Sequence, residues 1–169
     1  MMRAPIAPLF VPGNRPERFQ KAAATEADAI IIDLEDAVDA SQKDDARRNL
    51  TTHGVTGKPV LARINAAGTE FWQDDLAAIS GLPLAGVILP KAETAADVAT
   101  LAKAVGPSVS ILPLIETVAG LDAVDAILTA PQVLCLGFGS LDYGLDLGCE
   151  PSWEALLHTR SVLVIASRR

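Results

Sequence analysis

The chain has 169 residues, of which 50% are hydrophobic, and this is enough for one domain with a substantial core. Its 14 basic and 21 acidic residues give a net charge of −7, which argues against nucleic-acid binding because no surplus of positive charge can displace counterions from phosphates. No apolar run approaches the ~20 residues that span a bilayer, and prolines interrupt the N-terminal segment, so we expect a cytoplasmic protein without a membrane partner.

Short apolar runs recur along the chain and predict strands. They lack a clean alternation of apolar and polar residues, which is typical of strands that are covered on both faces. The six predicted strands are residues 9–11, 30–32, 61–64, 87–89, 111–115 and 133–136.

Segments with helical periodicity lie between these runs. Asn14 is predicted as the N-cap of the first helix, with Pro16 in its first turn. Ser41 and Asp44 resemble a capping box, and Thr94 is predicted as a cap. After the helix that begins near Asn14, we predict helices at residues 41–50, 70–79, 94–105, 118–128 and 152–169.

The alternation of strands and helices predicts an α/β fold. The predicted strand centres are about 21 to 31 residues apart, close to the ~30 residues per unit of a (β/α)8 barrel. A doubly wound sheet is the alternative, but residues 11–16 lack the glycine-rich phosphate fingerprint expected at its first turn. We therefore predict one incomplete TIM-barrel domain over residues 1–169, truncated after the sixth β/α unit.

Charged and polar residues follow the predicted strands. In parallel α/β folds the functional groups collect at the carboxyl ends of the strands, so these residues are expected to share one site. Glu116 and Asp142 follow the fifth and sixth strands, and two carboxylates with water and substrate suit the octahedral coordination of Mg2+. Alternatively, Glu116 is a charge at a helix N-terminus and Asp142 is a turn residue.

Glu35, Asp36 and Arg63 each allow a functional and a structural interpretation. The two acids could orient metal-bound water and partner side chains, or they could pair with Arg63 or Lys91. Arg63 suits a bidentate grip on a substrate carboxylate, and a salt bridge to Glu35 is the alternative.

The remaining candidates are a lysine and a glycine-rich turn. Lys91 could bind an anion or form a Schiff base, and we favour an electrostatic role because nothing in its context lowers its pKa. Residues 137–140 present backbone amides where an anion could dock, although glycines after strands usually serve only the turn.

Six stretches of the chain match a known family in the right order. They are residues 9–19, 32–38, 63–65, 89–93, 115–117 and 141–142, and together they extend over nearly the whole sequence. On these motifs the chain resembles the citrate lyase beta-subunit-like proteins of the HpcH/HpaI aldolase superfamily.

The resemblance implies a (β/α)8 barrel that assembles as a homotrimer or a larger homo-oligomer. It implies that Glu116 and Asp142 hold Mg2+ and that Arg63 grips the carboxylate or carbonyl of the substrate. It also implies that Glu35 and Asp36 support the water shell of the metal and Arg63. The wider set of expected substrate-binding residues is Arg15, Arg63, Lys91, Glu116, Gly137, Phe138 and Gly139.

The resemblance also implies a Mg2+-dependent carbon-carbon lyase acting on citryl-, malyl- or citramalyl-CoA, with an acyl-carrier protein as a further possible partner. A thioesterase or a 2-oxo-acid aldolase on the same scaffold is the alternative, as is an inactive binding or assembly protein. Because an open barrel leaves sheet edges exposed, we expect the 169-residue chain to oligomerise or to be poorly stable.

Overall fold

The computed structural model describes residues 3–168. Its centre is a parallel sheet in which every strand pairs with the next one in the sequence. The strands are β1 (Leu9–Pro12), β2 (Ile30–Asp33), β3 (Val60–Arg63), β4 (Gly86–Leu89), β5 (Ser110–Ile115) and β6 (Gly137–Phe138).

The strand order distinguishes the two predicted architectures. The sheet runs β1-β2-β3-β4-β5-β6 without a reversal, whereas a doubly wound sheet reverses its order at a switch point. The doubly wound alternative is therefore wrong. The fold is α/β, with a curled parallel sheet that forms a half-barrel.

Helices connect the strands and pack beside one another, with α2 against α3, α3 against α4, α4 against α6 and α6 against α8. Their bounds are α1 (Phe19–Ala23), α2 (Lys43–Thr51), α3 (Trp72–Ile79), α4 (Ala95–Val105), α5 (Val118–Asp122), α6 (Val124–Leu128), α7 (Ser140–Leu147) and α8 (Leu157–Ala166). Among residues 3–168, none of these helices has the length and apolar character needed to cross a membrane.

Alternate residues of each strand pack into different cores. Ile30 and Ile32 of β2 belong to a large cluster that includes helix residues, whereas Ile31 belongs to a small cluster with Leu61 and Leu112. Since successive side chains of a strand point to opposite faces, the small cluster lines the concave face of the sheet.

The same alternation places charged side chains on the concave face. Asp33 and Arg63 each stand two residues beyond a member of the small cluster, and Glu116 stands two residues beyond Leu114, which packs against it. These three side chains therefore share the concave face at the carboxyl ends of β2, β3 and β5.

Helix starts agree only partly with the predicted caps. Thr94 is the N-cap of α4, as predicted, and its Oγ1 accepts a hydrogen bond from the Asp97 N–H at 3.1 Å. Asn14 is not a cap, because its Nδ2 instead donates to Gln42 Oε1 at 2.7 Å. The capping box is also wrong, since Ser41 lies inside a 3-10 turn and α2 begins without a side-chain cap.

Two predicted helices have different bounds in the structure. The segment 118–128 is interrupted at Ala123, whose φ of −89° and ψ of 0° end α5 and precede α6. The last helix begins at Leu157 rather than at Ser152, because the Ser152 Oγ accepts a hydrogen bond from the Ala155 N–H and forms a separate turn. The predicted end at Arg169 lies outside the described residues.

The sixth strand is shorter and later than predicted. Val133 forms an isolated bridge with Ile111, and regular pairing resumes where Gly137 meets Leu114. From the first contact to the second, the chain advances four residues before β6 (133 to 137) but only three in β5 (111 to 114). A one-residue bulge therefore separates the two contacts. Residues 140–147, which have no predicted element, form α7.

Candidate functional site

The loop after β2 is held by the last residue of that strand. Asp33 is 1% exposed, and its Oδ1 accepts the Glu35 N–H at 2.9 Å while its Oδ2 accepts the Ala37 N–H at 3.2 Å. We call residues 34–37 the acidic loop. Asp33 thereby fixes the backbone from which Glu35 and Asp36 project.

Arg63, at the end of β3, joins the carboxylates of this region. Its Nε and Nη2 donate to Asp33 Oδ1 at 2.7 Å and Oδ2 at 2.6 Å, in a bidentate pair. Its Nη1 lies 3.0 Å from Glu35 Oε2 and 3.4 Å from Asp36 Oδ2. Burial opposes the charged guanidinium, but the hydrogen bonds to Asp33 and the charges of the three acids outweigh it and raise the pKa of Arg63.

The pairing with Asp33 changes the predicted role of Arg63. The sequence allowed either a bidentate grip on a substrate carboxylate or a salt bridge to Glu35. The salt bridge to Glu35 is present at 3.0 Å, and Asp33 occupies the Nε–Nη2 edge, so a substrate oxygen would have to meet Nη1 or the second proton of Nη2.

Glu35 lies between two cations, but its burial outweighs the stabilisation that they give to its anionic form. It is 7% exposed, and its Oε1 accepts a hydrogen bond from Lys91 Nζ at 3.2 Å. Its Oε2 is buried and accepts no hydrogen bond from the described part of the chain. Burial, opposed by Arg63 and Lys91, raises the pKa of Glu35 to about 7.

Replacing Glu35 by Gln tests this pKa. Because the pKa is about 7 in the folded protein and 4.5 ordinarily, the folded state binds more protons between these values, and the contribution of Glu35 to stability falls as the pH rises through them. We expect the free energy of unfolding of E35Q, minus that of the wild type, to increase from pH 4.5 to pH 7 and then to level off. Urea unfolding across this range measures it, with exposed Glu26→Gln as the control, and a constant difference would contradict the prediction.

Lys91 connects the acidic loop with the two predicted metal ligands. Its Nζ lies 3.2 Å from Glu35 Oε1, 3.9 Å from Glu116 Oε1 and 3.7 Å from Asp142 Oδ2. Its φ of 45° is in the left-handed region, which is strained for a lysine and characteristic of functional sites. Burial acts to lower its pKa, but the charges of Glu35 and Glu116 prevail and raise it, which is the opposite of what a Schiff-base lysine needs.

Glu116 and Asp142 approach this lysine from different elements. Glu116 follows β5, is 3% exposed, and accepts the Lys91 N–H at 2.8 Å on Oε1. Asp142 lies in the first turn of α7 and its side chain is 43% exposed. Burial, and to a smaller degree the charge of Asp142, raises the pKa of Glu116, against the opposing influence of Lys91.

Gly139 lies directly against the Glu116 side chain, where a larger residue would not fit. A Cβ at this position would lie 2.4 Å from Glu116 Oε2 and 2.9 Å from Glu116 Cβ. The Gly139 N–H donates to the Ile115 carbonyl at 3.0 Å, so this amide is not available to an anion as the sequence suggested. The glycine instead leaves the space that Glu116 occupies.

The other predicted substrate-binding residues are Arg15, Gly137 and Phe138. Arg15 is exposed before the 3-10 turn Pro16–Arg18 and, within residues 3–168, forms no ion pair with the carboxylates described above. Gly137 and Phe138 form β6, and the Phe138 ring meets that of Tyr143 edge to face at 5.4 Å between centroids. Among residues 3–168, the hydrogen bonds and ion pairs of Arg63 involve none of these three residues.

Charge balance tests whether the cluster fits a divalent cation. The ion pairs of the cluster join two cations, Arg63 and Lys91, to a larger number of carboxylates. The five carboxylates are Asp33, Glu35, Asp36, Glu116 and Asp142. Among residues 3–168 no group of three His, Cys, Asp or Glu side chains is arranged to hold a metal by itself. The donor set therefore fits a hard cation bound through two carboxylates, whose other ligands would be water and substrate oxygens.

Two residues of the site carry no predicted role. Asp33 is the main partner of Arg63, and the signal for it is an acidic residue inside an otherwise apolar run at residues 30–34. Phe10 of β1 lies under Arg63, with the guanidinium carbon 5.0 Å from the ring centroid. For Phe10 the sequence gives no signal beyond its place in the first predicted strand.

Comparison with known proteins gives a consistent result. The family model HpcH/HpaI aldolase/citrate lyase matches residues 7–169. The citrate lyase subunit beta-like protein of Mycobacterium tuberculosis is 37% identical over 166 residues, which cover 94% of this chain and 59% of that protein. The L-malyl-CoA/beta-methylmalyl-CoA lyase of Cereibacter sphaeroides is 35% identical over 159 residues, which cover 84% of this chain and 50% of that protein.

A solved structure resembles the whole sheet. The crystal structure of the protein CitE from Mycobacterium tuberculosis, in complex with magnesium, acetoacetate and coenzyme A, matches with a TM-score of 0.86 and 35% identity over 99% of this chain and 63% of that chain. This chain thus spans 59% and 50% of the lengths of the two relatives named above. Because the family model and these relatives match most of the sequence, the chain belongs to the HpcH/HpaI aldolase/citrate lyase family.

Proposed function

We propose that the protein is a Mg2+-dependent carbon-carbon lyase that acts on a CoA thioester of a hydroxy acid, such as citryl-, malyl- or citramalyl-CoA. The observation that carries the proposal is the pair Glu116 and Asp142, both within 4 Å of Lys91 Nζ in a cluster with excess negative charge. Relatives described as a citrate lyase beta-like protein and a malyl-CoA lyase support the class of substrate.

Glu116 and Asp142 are the proposed metal ligands. When bound, Mg2+ supplies Lewis-acid stabilisation of negative charge on substrate oxygens. The absence of a side chain at Gly139 leaves room for the Glu116 carboxylate, and the Lys91 N–H donates a hydrogen bond to its Oε1. The complex of CitE with magnesium supports this choice of ion.

The other side chains have proposed roles in binding and proton handling. Arg63 binds a substrate carboxylate or carbonyl through Nη1, and Lys91 adds positive charge beside it. Glu35 and Asp36 hold water and orient Arg63, which is supported by their ion pairs with Arg63 Nη1 at 3.0 Å and 3.4 Å. Because the pKa of Glu35 is about 7, its carboxyl can hold or release a proton near neutral pH.

The curled sheet is proposed to be six of the eight β/α units of a TIM barrel. The sequential strand order and the likeness to CitE support this assignment. Residues 1–169 would then form one incomplete barrel domain.

Self-association as a homotrimer or a larger homo-oligomer stays a prediction, as does docking of an acyl-carrier protein. Exposed apolar side chains on the last two helices support association. They include Leu141, Leu145, Leu157, Val164 and Ile165. A stable monomer in sedimentation velocity at low concentration would contradict it.

The function is tested by incubating the chain with Mg2+ and each of the three thioesters. A lyase breaks the carbon-carbon bond between the hydroxyl carbon and the carbon next to the thioester. The hydroxyl oxygen becomes the carbonyl of a 2-oxo acid, and the bonding electrons pass to the thioester fragment, which takes up a proton. We expect a shorter acyl-CoA and a 2-oxo acid in equal amounts by liquid chromatography and mass spectrometry.

Two other outcomes would overturn the lyase proposal. Free CoA without a shorter acyl-CoA would identify a thioesterase. Binding of Mg2+ and thioester without turnover would identify a binding or assembly protein. The E35Q and R63M variants, run beside the wild type, separate turnover at this site from a contaminating activity.

A further inference from the structure

A buried polar network lies behind the acidic loop and has no role assigned in the function proposed above. It consists of Lys43 and Arg47 of α2, Asn65 after β3, and Asp75 of α3, and we call it the support network. These side chains are 7%, 8%, 4% and 0% exposed. Charged groups are seldom buried this deeply unless they are paired, so the network requires a physical explanation.

Asp75 organises the inner half of the support network. Its Oδ2 accepts both the Asn65 N–H at 2.7 Å and the Asn65 Nδ2 at 2.6 Å, and its Oδ1 accepts Arg47 Nε at 2.7 Å. Arg47 Nη2 also donates to the Phe71 carbonyl at 3.3 Å. Because Asn65 is held through both its backbone and its side chain, its amide group has one fixed direction.

The outer half of the support network holds the acidic loop through its carbonyls. Lys43 Nζ donates to the Leu34 carbonyl at 2.6 Å and to the Glu35 carbonyl at 2.7 Å. Asn65 Nδ2 donates to the same Leu34 carbonyl at 3.0 Å. Since Asp33 already binds two N–H groups of the loop, its backbone is fixed from both sides.

The burial of Lys43 is unfavourable on its own. Its Nζ lies 5.3 Å from the Phe71 ring centroid, and desolvation lowers its pKa against the opposing charges of Asp75 and Asp33. An apolar residue would fill the same space on α2 without this desolvation cost. The lysine does supply two hydrogen bonds to adjacent carbonyls of the loop that carries Glu35.

We propose that Lys43 is a positioning residue, which with Asn65, Asp75 and Arg47 holds the acidic loop so that Glu35 stays in contact with Arg63 and Lys91. Lys43 contacts neither of these cations and acts through the loop backbone. The inference rests on the proposed function for its effect on turnover, whereas its effect on the loop can be measured without any substrate.

The test compares Lys43→Met with Lys58→Met. Lys58 is a matched control, because its Nζ also donates to two loop carbonyls, those of Thr25 and Ala27, at the opposite end of the sheet. Amide hydrogen exchange is followed by NMR in both variants. In K43M we expect the Glu35 and Ala37 amides to exchange at least about 10-fold faster, while amides of β5 keep their rates. In K58M the acidic loop should exchange as in the wild type.

Turnover provides a second readout through a double-mutant cycle with E35Q. We expect K43M to lower kcat by about 10- to 100-fold, as loss of outer support for a site typically does, with a much smaller change in KM. If Lys43 acts through Glu35, K43M should lower kcat little further in the E35Q background. K43R, which keeps the donors, should restore most of kcat.

Each outcome has a separate meaning. Unchanged exchange of the acidic loop in K43M, or full additivity of K43M and E35Q, would overturn the positioning role. If the wild type shows no turnover, the lyase proposal fails while hydrogen exchange still decides the role of Lys43. If K43M does not fold, K43Q replaces it, because its amide can still donate to one of the two carbonyls, and intermediate exchange rates are expected.

Discussion

Replacing Arg63 by Met is expected to destabilise the protein by about 3–5 kcal/mol, because breaking a buried pair leaves an uncompensated charge. Asp33 is 1% exposed and keeps only the two loop N–H groups as partners when the guanidinium is removed. Glu35 and Asp36 lose the same cation and repel each other more strongly. Urea unfolding followed by circular dichroism measures the free energy of unfolding.

Arg48→Met is the matched control for this variant. Arg48 also pairs with an aspartate, Asp45, but both side chains are more than half exposed on α2. Surface substitutions of this kind change stability by about 0.5 kcal/mol or less. A value for R63M as small as that of R48M would show that the Asp33–Arg63 pair does not stabilise the fold. R63K, which keeps the charge but not the planar fork, should fall between them.

Replacing Glu116 by Gln, or Asp142 by Asn, is expected to weaken Mg2+ binding by more than about 100-fold, since changes in outer-shell groups alone cost 10- to 100-fold. Each substitution keeps the shape of the side chain and removes one negative oxygen ligand. Glu116→Gln can still accept the Lys91 N–H, so the fold should be retained. Isothermal titration calorimetry with MgCl2 measures the affinity.

The control for these variants is Asp122→Asn, an exposed acid on α5. It removes the same unit of charge from an exposed acid that is not among the carboxylates paired with Lys91, so it accounts for the change in net charge of the protein. Retained affinity in E116Q would remove Glu116 from the metal site. Loss of affinity in D122N as large as in D142N would mean that Mg2+ responds to net charge and not to a defined pair of ligands.

Most of the strands could be predicted because each is a run of apolar residues between clear turn signals. The parallel sheet then follows from the intervening helices, and the concave face follows from the alternation within β2, β3 and β5. The sixth strand could not be placed, because its apolar run pairs only at Val133 before the bulge. Local sequence does not reveal at which residues a strand at the sheet edge will pair with its neighbour.

The site was less predictable than the sheet. Arg63, Glu35 and Lys91 do lie together, but Arg63 binds Asp33 most closely, and this choice depends on the register of β2 against β3, which pairs Asp33 directly with Arg63. Lys43 and Asp75 appear in the sequence as ordinary helix charges. They are buried because α2 and α3 pack beside the acidic loop, and such tertiary contacts are not encoded in local spacing.

The alternation of the strands between two cores also determines where the chain can change length. Inserting or deleting one residue within β2 or β3 would turn Asp33 or Arg63 from the concave face toward the helices. The segments between a helix and the next strand carry no such constraint, as at residues 52–59. Variation in length among homologues should therefore accumulate at the amino ends of the strands, opposite the carboxylates.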